Sequence, residues 1–172
     1  METYYIVSFI GDDRPGLVEQ LSQVIEANGG NWHESRLSQL GGKFAGLVLV
    51  SLRGDSGDAL QRDLKALSAR GISVRVTAAT SAAAAPETAR DIVLTVIGPD
   101  RTGIVREIAR ALARREINVV EMDSRVSSAP MSAERIFEAR IEARIPDNTD
   151  LDDLTDALEE IANQMTLEID LE

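Results

Sequence analysis

Gly11-Asp12-Asp13-Arg14-Pro15-Gly16-Leu17-Val18 decides the reading of this chain, because the sequence writes the pattern twice. It returns 87 residues later as Gly98-Pro99-Asp100-Arg101-Thr102-Gly103-Ile104-Val105. Each copy follows an apolar run of strand length and precedes apolar residues at helical spacing. A glycine-bounded strand-to-helix turn leaves the first amides of the helix unpaired and facing out, where they can hold an anion. One copy alone reads as a structural turn. Two copies in register make the turn the feature on which the fold is built, without making it a site.

Upstream of the first copy, Tyr4 to Ile10 is a short β-branched and aromatic run, which reads as a strand. Downstream, Leu17, Leu21, Val24 and Ile25 fall at helical spacing, with Pro15 suited to the first helical turn and Gly29-Gly30 as the stop. A second strand runs from Asn31 towards Leu40, and Gly41-Gly42 reads as a tight hairpin. The third strand, Phe44 to Leu52, is nearly all apolar and belongs in the sheet centre. Asp55 to Arg70 reads as a second helix with Leu60, Leu64 and Leu67 inward. Ile72, Val74 and Val76 alternate as a fourth strand.

The order repeats from Asp91, with Ile104, Ile108 and Leu112 on a helix and Asn118 opening a strand as Asn31 does. Phe44 matches Phe137 at an offset of 93, so the second copy holds about six extra residues, placed at 126–133 as a long polar hairpin loop. Leu151, Leu154, Leu158 and Ile161 form the last helix, and Leu167, Ile169 and Leu171 the last strand. The expected fold class is α+β: two tandem ferredoxin-like βαββαβ domains, each an antiparallel four-stranded sheet with both helices on one face. The expected domains are 1–77 and 91–172. Residues 78–90 have no hydrophobic period and contain a proline, so they read as a linker, with a short alanine helix as the alternative.

Composition excludes several functions. The 172 residues contain no cysteine, which removes disulfides, thiol nucleophiles and cysteine-held metals. His33 is the only histidine, so one chain cannot assemble a histidine metal cluster or a Ser-His-Asp triad. The net charge of −11 divides into −1 over residues 1–86 and −10 over 87–172. Such a surface repels a phosphate backbone, so direct nucleic-acid binding is not expected. Asp150, Asp152, Asp153, Asp156, Glu159 and Glu160 lack the spacing and glycine of a calcium loop and read as a solvated helix face, with a basic partner as the minor alternative. The turns match neither a P-loop nor a dinucleotide fingerprint. No run is long enough to span a bilayer and the start lacks a secretory layout, so the expected location is the cytoplasm, with no membrane association.

With the Asp-Arg-x-Gly turn and the asparagine recurring in both halves, the chain resembles the ACT domain family. In its tandem layout it is similar to the glycine cleavage repressors within that family. The resemblance implies a regulatory module that binds a small amino acid between domains and uses no cofactor. It assigns the ligand-facing turns to Arg14, Pro15, Gly16 and Leu17, and to Arg101, Thr102, Gly103 and Ile104. Asn31 and Asn118 become polar partners, and Asp12, Asp13 and Asp100 candidate acceptors for an ammonium group. It further implies that the partner is a DNA-binding transcription activator, that the ligand is glycine, and that the chain forms a homodimer or higher oligomer. A stand-alone sensor that regulates a metabolic enzyme is the alternative. An enzyme would need a nucleophile or base that the sequence does not supply.

Overall fold

A computed structural model of the chain describes residues 2–54, 56–80 and 89–172. The chain divides into two compact units, Met1–Ala83 and Ala84–Glu172, each with its own sheet and core.

The first unit runs β1 (Glu2–Asp12), α1 (Leu17–Ala27), β2 (Gly30–Leu40), β3 (Lys43–Arg53), α2 (Gly57–Lys65), a 3-10 stretch (Ala66–Arg70) and β4 (Ile72–Ala78). The sheet order is β2-β3-β1-β4, antiparallel throughout. The apolar third strand therefore lies inside the sheet, as its composition required. Gly41 and Gly42 both take positive φ, 59° and 76°, the backbone that a two-residue hairpin needs to match strand twist. Leu17, Leu21 and Ile25 on α1 and Leu60 and Leu64 on α2 are buried, so both helices face the sheet side that carries Val7, Val48 and Val50.

The second unit repeats this as β5 (Ala89–Pro99), α3 (Ile104–Ala113), β6 (Asn118–Ser128), β7 (Arg135–Pro146), α4 (Leu151–Met165) and β8 (Glu168–Leu171), in the order β6-β7-β5-β8. In β7 the strand period separates the two faces cleanly. Phe137, Ala139, Ile141, Ala143 and Ile145 are buried, and Glu138, Arg140, Glu142 and Arg144 alternate on the open side. Among the described residues no helix is long and apolar enough to cross a membrane.

Several local expectations change. Pro15 lies in the turn before α1, because Gly16 at φ 87° caps the helix and Leu17 opens it. The second helix tightens to 3-10 geometry after Lys65, and Asp55 lies outside the described residues. The loop expected at 126–133 is shorter at its front, since Val126, Ser127 and Ser128 pair with Phe137, Ile136 and Arg135 and extend β6. The centre of the 78–90 segment, residues 81–88, lies outside the described residues, and the strands on either side reach Ala78 and Ala89.

Candidate functional site

Both turns are built alike. Gly16 and Gly103 stand at φ 87° and 99°, a left-handed conformation that L side chains rarely adopt. The acid three residues earlier ties each turn to the neighbouring hairpin through its backbone N–H, from Asp13 to Gly42 O at 3.0 Å and from Asp100 to Arg135 O at 2.8 Å. The first bonds within each helix close at Gln20 N to Gly16 O and at Glu107 N to Gly103 O. The amides of 17–19 and 104–106 thus precede the helical ladder, and no side chain caps either helix. By contrast, α4 is self-capped: Asp150 Oδ1 accepts from Asp152 N at 3.0 Å and Asp153 N at 3.2 Å.

Each turn opens on a cleft. In the first unit a cleft of about 340 Å³ is lined by Asp13, Arg14, Gly16, Leu17, Val18, Glu19 and Phe44. In the second, a cleft of about 540 Å³ is lined by Asp100, Arg101, Gly103, Ile104, Val105, Arg106, Ala109, Val126 and Phe137. Phe44 and Phe137, matched above only for register, form equivalent walls. A larger trough of about 580 Å³ lies on the second sheet, floored by Val96 and Ala139 and edged by Asp123, Arg125, Glu138 and Arg140. It lacks helix amides, and in it Arg125 is already paired with Glu138.

The clefts differ in charge. Glu19 occupies the first turn's mouth, its Oε2 4.0 Å from where a Cβ on Gly16 would stand. At the 87-residue offset its counterpart is Arg106. Arg14 turns away, with Nη2 donating to Arg70 O at 2.7 Å. Arg101 and Arg106 have no ion-pair partner among the described residues, while Asp100 is matched by Arg135 at 3.3 Å. The first cleft is therefore acidic on balance and the second basic. Reading the offset three residues past the turn glycine exposes this exchange in the sequence, and the motif alone does not.

The remaining candidates lie elsewhere. Asp12 pairs with Lys43, whose hydrogen bond and charge hold its carboxyl below the usual range. Pro15 and Thr102 do not line the clefts. Asn31 faces Ser51 and Asn118 faces Arg144, each seven residues along its central strand from Phe44 or Phe137. At about 3.3 Å per residue that is roughly 23 Å, too far for one unit to close its turn and its asparagine around one small ligand. Instead Asn31 joins a polar group at the far end of the sheet. There His33 Nε2 stands 2.7 Å from Ser51 Oγ and 3.5 Å from Asn31 Nδ2, and Ser51 Oγ donates to Glu2 Oε1 at 2.8 Å. Ser51 is only 1% exposed and both its partners are met, so the group is a satisfied structural network.

Two family models, each described as an ACT domain, match residues 3–77 and 92–163. The chain belongs to the ACT domain family. Its tandem ACT units also resemble the glycine cleavage system transcriptional repressor of Escherichia coli (strain K12), at 22% identity over 162 residues, covering 94% of this chain and 85% of that protein. The protein of the same name from Shigella flexneri matches to the same degree. A crystal structure of an unknown protein from Galdieria sulphuraria superposes with a TM-score of 0.88 at 29% identity, covering 100% of this chain and 98% of that one.

Proposed function

We propose that the protein is a non-enzymatic regulator that senses a small amino acid at its ACT turns and represses transcription by contacting a DNA-binding activator. The observation that carries the reading is the pair of uncapped helix starts, each opening on a cleft large enough for a small metabolite. A ligand carboxylate there accepts from free amides, with the helix dipole adding about 0.3–1 kcal/mol. Similarity to the glycine cleavage system transcriptional repressor of Escherichia coli supports a repressor role, and glycine is the first ligand to test on that ground. The charge of −11 favours action through a protein over direct contact with DNA. Because each asparagine lies far from its own turn, the proposal includes a homodimer or higher assembly in which a second chain brings an asparagine to the ligand.

Thermal unfolding against a panel of free amino acids tests the sensing step. A ligand at 100 times its Kd raises apparent stability by about 2.7 kcal/mol. Binding of the purified protein to an activator of glycine cleavage genes, measured with and without that ligand, tests the output. Absence of any stabilising amino acid contradicts the first step. A ligand-independent interaction, or none, contradicts the second and leaves regulation of a metabolic enzyme as the reading to pursue.

A further inference from the structure

The two clefts share a backbone and differ at two positions that matter for a ligand. Glu19 is replaced by Arg106, and Gln39, opposite Phe44 in the first sheet, is replaced by Val126, opposite Phe137 in the second. The second cleft therefore combines two arginines at its mouth with a wall of Val105, Ala109, Val126 and Phe137. Val105 is 45% and Val126 44% exposed, so this wall is apolar surface left open to water beside two arginines with no ion-pair partner among the described residues. Its volume of about 540 Å³ falls in the range of small-molecule sites, roughly 300–1,000 Å³, and far exceeds what glycine fills. In the first cleft the volume is about 340 Å³, Arg14 is held by Arg70 O, and the Glu19 carboxylate lines the mouth, with Oε2 4.0 Å from where a Cβ on Gly16 would stand.

From this asymmetry we infer that only the second unit binds ligand in the turn, and that its ligand is a free carboxylic acid with an aliphatic side chain, leucine or valine in size. The inference rests on the amino-acid-sensing reading above and narrows its ligand. Arg101 and Arg106 meet the carboxylate from the solvent side while the amides of 104–106 meet it from the helix. The aliphatic group covers Val105, Val126 and Phe137. In the first unit the like charge of Asp13 and Glu19 opposes the same carboxylate.

Calorimetric titration of the full chain with leucine, valine and glycine tests this, with the fold of each variant checked by circular dichroism. Leucine should bind at least about tenfold tighter than glycine, since even one methylene in an apolar pocket is worth roughly tenfold or more. The double variant Arg101→Ala/Arg106→Ala should lose at least tenfold for leucine, and Arg14→Ala should leave it unchanged. Both arginine positions are exposed, so these variants should fold. Glycine binding as tightly as leucine, or loss of binding in Arg14→Ala alone, overturns this inference and leaves amino-acid sensing standing. No binding by any of the three, or by the wider panel, overturns both.

Discussion

Gly11 and Gly98 occupy the same place, at the strand end just before each turn, yet they are not equally replaceable. A Cβ on Gly98 meets Thr166 O at 2.7 Å and Leu167 Cα at 3.1 Å, both backbone atoms that cannot swing aside. On Gly11 the nearest atoms are Leu17 Cδ1 at 3.1 Å and Gly71 O at 3.3 Å. Gly98→Ala should therefore lose roughly 1–3 kcal/mol in denaturant unfolding, and Gly11→Ala distinctly less. Gly16 and Gly103 are different again: nothing stands closer than 4.0 Å to either Cβ position, so their constraint is the left-handed backbone and not space. A second residue-scale expectation concerns Glu2. The Ser51 hydroxyl, donating to its carboxylate, holds the group below its ordinary value of 4.5. A carboxyl lowered in the native state stabilises above its unfolded value, and that contribution fades as pH falls through the native one. Glu2→Gln should lower stability slightly at neutral pH, leave it unchanged well below pH 4.5, and so flatten the acid limb between, as followed by urea unfolding across the carboxylate range.

Among the described residues α4 carries a side-chain cap and α1, α2 and α3 carry none, and of these α1 and α3 begin on a left-handed glycine beside a cleft. At α4 the Asp150 side chain satisfies two orphan amides, so Asp150→Ala should cost about 0.5–2 kcal/mol in thermal unfolding without touching ligand binding. At α1 and α3 no side chain does this, and the amides stay available. Elements of this kind were largely legible in the sequence. Apolar spacing located α1 and α3, period-two alternation located β4, and the paired glycines at 41–42 located a hairpin. Boundaries were less legible. Pro15 looked like a helix opener because proline suits a first turn, but Gly16 in left-handed geometry starts the helix one step later. Ser127 and Ser128 looked like loop because they are polar, although as edge-strand residues they need only pair on one side. The reach of Asn31 was not legible either, since only strand register shows that it sits at the opposite end of the sheet from its turn.

At the scale of the molecule, duplication has kept the scaffold and let the charge diverge. Residues 87–172 carry a net −10, yet the cleft beside the start of α3 presents two arginines with no ion-pair partner among the described residues. A basic mouth on an acidic surface steers a small anion to one place and keeps polyanions away. The proposed sensing depends on free amides at these turns holding the acid end of a small metabolite. Backbone amide chemical shifts of the full chain, recorded while leucine and glycine are titrated in, test it most directly. Saturable shifts are expected centred on Ile104, Val105 and Arg106, smaller or none at Leu17, Val18 and Glu19, with a steeper titration for leucine. Saturable shifts confined to residues outside both turns would contradict it.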